Sequence, residues 1–391
     1  MRVPLSGLGI VAPGATGADA FRALLAGGAT AIRRVDRFDT AGLRAQSAGL
    51  VRDFNPKEFI APMKMRRMNT LSRLAVSAAK LALREAGLEQ LDPATGVAMG
   101  TSFGPVQTSV EYMQEYVEKG AALAPPQLFA ESVANAPGSH IAIELGLRGF
   151  NVTVTQRESS ALAAAMYAAS QIVKGAVPAA IIGGVEEVNE MIFSVLDRLG
   201  ALAPGDEPLR PFDRRRRGML IGEGSAVVIA GGEARYGYLS GFGIARDTSA
   251  SISDWGEDAG AVATAIRAAA DDAAIRTDQI DAVYASANGS VRADRLELAA
   301  LRQVFGDAVP PVVAPKAYFG EYAAAGALPL AAALVAMADQ TLHGTPGFEE
   351  ADDEAVEVVR ETRAAPLRHI LVNSLSAGGG IVCAVISRDA S

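Results

Sequence analysis

The sequence predicts an α/β fold of stacked sheet and helix layers, made of two related halves. Three observations carry this reading. Residues 71–104 and 261–290 both run helix, strand, polar loop, and residues 151–174 and 312–340 both run strand, elbow, Ala-rich helix. Each half closes on a strand and a glycine cluster, AAIIGG at 179–184 and ILVNSLSAGGG at 370–380. Helices this rich in Ala and Gly permit close approach, which suits burial between two sheets rather than on one open sheet. The break falls near Gly231 to Gly241, giving halves of 1–235 and 236–391. The repeat also brings the two elbows together, one from each half.

Composition agrees with a large buried core. The 391 residues are 50% hydrophobic and only 20% charged. A formal charge of −8 argues against nucleic acid as the main partner. No apolar run reaches membrane-spanning length, and residues 1–14 read as a strand and turn rather than a signal peptide. A single cysteine rules out an internal disulfide framework and fits a reducing cytoplasm, the expected location.

In chain order, Val3 to Val11 is a strand, and Ala18 to Ala26 is a helix closed by Gly27-Gly28. Residues 36–62 read as loop. MKMRRMNTLSRLAVSAAKLALREAGL (63–88) starts with the basic patch Lys64, Arg66 and Arg67, then becomes a long helix. That patch reads as a solvated face, with contact to an acidic carrier as the functional alternative. TGVAMGTSFGP (95–105) is a strand running into a Gly-rich loop with no phosphate-binding Lys-Ser/Thr after it. A loop over 107–119 carries Tyr112, Met113 and Tyr116 at helical spacing.

The central stretch is Asn151 to Leu162. Val152, Thr153, Val154 and Thr155 read as a buried strand, and Leu162, Met166, Ala169 and Ile172 then fall on one helical face. The elbow between them exposes Glu158 at the positive end of a helix, a place suited to a nucleophile or an anion. A carboxylate is a poor nucleophile toward a thioester. Its plainest role is to interact with the helix dipole, paired to a nearby Arg or Lys. Other reactive residues are few: His140 opening a helix, His343 in a turn, His369 before a strand, and Cys383 in an apolar strand. All read as structural, and no pair has metal-ligand spacing, so neither metal nor cofactor is expected.

At 199–230, LGALAP…PLRPFDRRRRGMLIGEGSAVVIA resembles the PFD…G…GEGAG segment of β-ketoacyl-ACP synthases. SGLGIVAP, RMNTLSRLAVSAAKLALREAGL, GVAMGTSFG, IIGGVEEVN, HGTP and LVNSLSAGG follow in that family's order, so the resemblance spans the chain. It implies the thiolase-like, five-layered α-β-α-β-α fold of the elongating synthases. It also implies a dimer in which the strand before the elbow pairs across the twofold.

The departures from the family bear on function. Where the family has Ala-Cys-Ser-Ser, this chain has Arg157-Glu158-Ser159-Ser160. Counting back from the matching acidic pair Asp294 and Glu297 puts Ser286 at the first family histidine. Lys316 is retained, and Glu321 falls at the second histidine, to within about one residue. Ala377 stands where a gating Phe is usual, before Gly378 and Gly379. Decarboxylative condensation needs a thiolate and two imidazoles, and each lost donor costs about 10²–10³-fold in rate.

The expected function is therefore a non-catalytic, chain-length-factor-like partner of a catalytic ketosynthase subunit in a heterodimer. Together they would elongate a polyketide, polyene or fatty-acid-like chain on acyl carrier protein. Two alternatives are a decarboxylase or acyl/CoA-transferase using Glu158, and a homodimeric acyl-binding regulatory protein. Phe103 is expected to gate the acyl pocket, with Tyr112 and Tyr116 as further wall.

Overall fold

The computed structural model describes residues 2–389. Five strands of the N-terminal half are β1 (Val3–Ala12), β2 (Gly96–Gly100), β3 (Asn151–Val154), β4 (Ala180–Glu186) and β5 (Gly224–Ala230). They lie in the order β1-β5-β4-β2-β3. The C-terminal half contributes β6 (Tyr238–Arg246), β7 (Ala282–Tyr284), β8 (Val312–Val313), β9 (His369–Leu375) and β10 (Gly380–Ser387). Their order, β6-β10-β9-β7-β8, is the same. In both halves the first two pairings are antiparallel and the last two parallel. The halves join where Val3 and Pro4 of β1 pair with Leu239 and Tyr238 of β6.

Besides the expected helix at Ala18–Gly27, eight helices matter for the layers: α1 (Thr70–Glu85), α2 (Val106–Lys119), α3 (Ala136–Leu145), α4 (Ser160–Val173), α5 (Glu190–Arg198), α6 (Ala259–Asp272), α7 (Val291–Phe305) and α8 (Ala327–Asp339). Helices α4 and α8 form the middle layer. Their alanines share one core with Leu8 and Val228 from one half and Ile370 and Val382 from the other. A helix apolar on all sides, such as α8, is stable only when it is covered all round. Outside, α1 and α3 cover the N-terminal strands around Val97 and Ile181, and α6 and α7 cover the C-terminal strands around Val283 and Leu371. The result is five layers, α-β-α-β-α.

The duplication reaches single residues. Ser6-Gly7-Leu8-Gly9-Ile10 on β1 is repeated as Ser240-Gly241-Phe242-Gly243-Ile244 on β6. A Cβ on Gly9 would lie 1.8 Å from the Ala78 carbonyl oxygen of α1, and one on Gly243 would lie 1.9 Å from that of Ala265 on α6. Both outer helices therefore rest directly on bare strand backbone. These pentapeptides are a stricter repeat than the helix–strand spacings.

Three local expectations are corrected. The strand before the elbow is not buried: β3 is the last strand of the sheet, its side chains are half-buried, and Thr155 lies outside it and is exposed. Alternation alone does not distinguish an interior strand from an edge. The stretch 107–119 is helix α2, closed by Gly120, as its aromatic spacing allows. His140 lies inside α3, which starts at Ala136 because Pro137 suits a first helical turn.

Candidate functional site

The first elbow is a tight turn, Arg157–Ser159, between β3 and α4. Arg157 adopts left-handed φ of 48°. Ser160 Oγ accepts from the Gln156 N–H at 2.8 Å and donates to the Arg157 carbonyl at 2.6 Å, fixing the turn. Ser159 ties it to the end of β9: its N–H donates to Ser376 Oγ at 3.0 Å and its hydroxyl to the Ser374 carbonyl at 3.1 Å.

Glu158 is therefore turned inward and is fully buried. Oε2 accepts from the Ala377 N–H at 3.2 Å, and the Tyr322 phenol stands beside the carboxyl. Burial, with the nearby charge of Glu321, raises its pKa to about 7 against the pull of Lys316. The expected pairing of Glu158 with an Arg or Lys does not occur, because the nearby cation is engaged elsewhere.

That cation is Lys316, whose Nζ lies 2.7 Å from Glu321 Oε2 and 3.3 Å from Ser286 Oγ. Asn288 Nδ2 donates to the same Glu321 oxygen at 2.6 Å, and the Tyr322 N–H donates to the other at 2.9 Å. The acidic pair supports this loop. Glu297 accepts from the Ser286 N–H at 3.0 Å and from Asn373 Nδ2 at 2.9 Å. Asp294 accepts from the N–H groups of Asn288 and Phe212. Ser286, Lys316 and Glu321 are thus in one cluster, and the elbows touch: a Cβ on Gly326 would lie 2.4 Å from the Glu158 carbonyl.

Sequence reasoning missed Asn288 and Tyr322. Asn288 follows Ser286 by two residues in the same loop, which was the available signal. Tyr322 had none beyond its adjacency to Glu321. It is 4% exposed and left-handed at φ 65°, with its ring edge-on to Phe103 at 4.8 Å between centroids. Burial and the charges of Glu158 and Glu321 hold its phenol well above the usual range.

Phe103 reaches the cluster through Tyr322, and its loop is pinned by Glu186. That buried carboxyl accepts from the N–H groups of Ser102 at 2.6 Å and Phe103 at 3.0 Å. Tyr112 and Tyr116 lie apart from Phe103. Their rings pack on each other, at 6.3 Å, and Tyr112 also packs on Phe129. Lys64, though exposed, pairs with Glu144 at 2.8 Å, which leaves Arg66 and Arg67 as the exposed cations of the patch with no such partner there. Ala377 and Gly378 edge an opening of about 440 Å³ with Gln156, Arg157 and Arg246. Gly379, at φ 81°, packs with its Cα against the Asp247 carbonyl, where a Cβ would be 2.1 Å away.

No thiol or imidazole belongs to this cluster. Cys383 is buried in β10 within the outer C-terminal core, and burial raises its thiol pKa. His343 bonds the Tyr284 hydroxyl at 2.9 Å, and burial lowers its pKa to about 4. His140 meets Glu131 and His369 meets Ser387. Among the described residues no three His, Cys, Asp or Glu side chains are grouped to hold a metal. No described helix is long and apolar enough to cross a membrane.

Residues 1–233 match the family "Beta-ketoacyl synthase, N-terminal domain", and residues 236–349 match "Beta-ketoacyl synthase, C-terminal domain". The chain belongs to the β-ketoacyl synthase family. Among its relatives are two subunits of the tetracenomycin polyketide synthase of Streptomyces glaucescens. The ketoacyl synthase alpha subunit is 31% identical over 90% of this chain and 88% of its own length. The beta subunit is also 31% identical, over 88% of each. Among solved structures, the ishigamide ketosynthase/chain length factor superposes with a TM-score of 0.90 at 29% identity, covering 99% of both chains. This synthase-family chain therefore has the thiolase-like fold, with Glu158, Ser286 and Glu321 at the heart of its two elbows.

Proposed function

We propose that this member of the β-ketoacyl synthase family is a non-catalytic, chain-length-factor-like subunit. It pairs with an active ketosynthase and helps shape the tunnel in which a chain on acyl carrier protein is extended. The observation that carries this reading is the buried Lys316–Glu321–Asn288 cluster beside Glu158. Condensation calls for a thiolate and donors aimed at a developing negative charge. Here the elbow side chain is a carboxyl, and the buried cation beside it, Lys316, is neutralised by Glu321. The half-buried edge strand β3 supports association, since an unpaired edge is a template for another strand. Its likeness to a polyketide ketoacyl synthase beta subunit and to a ketosynthase/chain length factor supports the reading. Arg66 and Arg67 are the carrier-facing residues in this reading. The boundary between the halves is placed at 235/236, in the segment joining β5 to β6.

Sedimentation of the chain with its ketosynthase, paired with a condensation assay on each alone and together, tests the proposal. The expected result is a 1:1 complex that condenses, with no condensation by this chain alone. A persistent homodimer in the presence of that partner favours an acyl-binding regulatory protein. A second reading rests on Glu158, whose burial and raised pKa suit a general base. CO₂ release from malonyl carrier protein by this chain alone, lost in Glu158→Gln, would establish it.

A further inference from the structure

The sheet has two ends, and the duplication makes them counterparts. β3 is the last strand of the N-terminal half and β8 the last strand of the C-terminal half. Each runs parallel to its inner neighbour. An end strand presents a row of backbone donors and acceptors that another strand can join. A chain with two such ends adds neighbours at both and builds an open array, whereas a single free end stops at a pair.

The two ends are finished differently. No described strand lies on the outer side of β3. On β8 the Pro311 and Val313 carbonyls face β7, accepting from Val283 and Ala285, so Pro310, Val312 and Ala314 face outward. All three are closed. Pro310 has no N–H to offer. The Val312 N–H donates to the Glu357 carbonyl at 2.8 Å, and its carbonyl accepts from the Val359 N–H at 2.8 Å, a parallel bridge centred on Val358. The Ala314 N–H donates to Thr345 Oγ1 at 3.2 Å, and the Thr345 N–H holds the Val359 carbonyl at 2.8 Å.

The covering segment is anchored on both sides of the bridge. Val356, Val358 and Val359 are buried. Upstream, the buried Asp213 carboxylate accepts from the N–H groups of Glu349 and Glu350 at 2.8 Å each, and Arg216 Nη2 lies 2.7 Å from Asp352. The segment follows directly on the residues, 236–349, that match the family domain. One bridge residue hardly extends the sheet, but it leaves β8 no outward group to share.

We infer that residues 356–359 cap the β8 end in cis, and that they hide a second strand-pairing face whose partner is β8 of another copy of this chain. With the cap in place, association is confined to β3. The inference rests on the reading that β3 pairs with the ketosynthase, and it adds why that pairing ends at two chains.

The test opens the cap in the full chain, alone and with its ketosynthase, and follows mass by sedimentation. Val359→Pro deletes the bond to the Val312 carbonyl, and Val358→Ser with Val359→Ser loosens the buried packing. The parent complex is expected at 1:1. Both opened variants are expected to form a 2:2 species, twice that mass, in a proportion that rises with concentration. Adding Val312→Pro, which removes the outward N–H of β8 and keeps its inner side paired, is expected to restore 1:1. Circular dichroism and thermal melting separate folded assemblies from unfolded aggregates. Folded variants that stay at 1:1 overturn the inference, as do heavier species that persist with Val312→Pro. Loss of folding in both opened variants also overturns it, because the segment is then core and not a cap. If the unsubstituted chain forms no complex, the partner reading fails instead and the chain alone decides. A doubling of its mass on opening the cap supports the hidden face, and an unchanged mass overturns it.

Discussion

Lys316 Nζ lies 2.7 Å from Glu321 Oε2, with the two side chains 3% and 0% exposed. Desolvating both charges offsets much of their attraction, so such a pair adds little net stability while making each partner dependent on the other. Lys316→Met or Glu321→Leu alone is expected to destabilise by about 3–5 kcal/mol, and the double variant to be near neutral or stabilising. Chemical denaturation of the three variants checks this. Additive single losses would show that the pair is not coupled.

The elbow carboxyl is expected never to carry an acyl group. Incubation with acyl carrier protein or acyl-CoA thioesters, followed by intact mass spectrometry, should give unmodified chain. Glu158→Cys should not confer condensation, because Ser286 and Glu321 supply no imidazole. A stoichiometric adduct on the native chain would end the pseudoenzyme reading.

Stability is expected to fall as pH rises. Burial raises the pKa of Glu186 to about 8, and those of Glu158, Glu187 and Glu297 to about 7. Between the ordinary carboxylate value and those pKa values, the folded chain holds protons that the unfolded chain has released. The contribution of these four carboxyls is therefore full below about pH 4 and is lost through about pH 7–8. Urea unfolding over that range should show the decline. Glu186→Gln, which can still accept from Ser102 and Phe103, should flatten it. A midpoint that rises toward alkaline pH would contradict the assignment.

Val152→Asp on β3 is expected to leave the chain folded and to abolish its complex with the ketosynthase, since the strand is half-buried and lies at the sheet edge. Circular dichroism and sedimentation separate the two effects. Retained pairing would place the interface elsewhere.

Gly9→Ala should cost more than about 4 kcal/mol or prevent soluble expression, because the new Cβ would meet α1 backbone 1.8 Å away. Gly42→Ala, with nothing within 4 Å of its Cβ, should be near neutral. Equal tolerance at both positions would mean that α1 can shift off β1.

The order of elements, the layers and the contact between elbows were legible because repeats and alanine-rich helices are properties of local sequence. The cluster of Ser286, Lys316 and Glu321 was reachable only by matching loop positions to the motifs of the family the chain resembles. Asn288 and Tyr322 were not singled out, since a side chain's reach across a fold and a tyrosine forced into left-handed backbone leave no periodic mark. Position on the sheet was equally hidden: Val152 to Val154 alternate as an interior strand would, yet they form an edge. Lys64 is pre-empted by Glu144, a partner 80 residues away that spacing does not reveal.

The seam of β1 has a consequence for biosynthesis. Leu5 pairs with Ala230, and Val3 with Leu239, so apart from a short local pairing of Val11 and Ala12 with residues 15–16, β1 finds its sheet neighbours more than 200 residues later. At about 5–20 residues per second, β1 waits roughly 10–45 s for its sheet. During that interval most of an apolar ten-residue strand lacks its sheet partners, and the alanine-rich α4 lacks the C-terminal half that covers it. Nascent chains of this protein are therefore expected to depend on ribosome-associated chaperones, and slowing translation before residue 240 to lengthen their exposure.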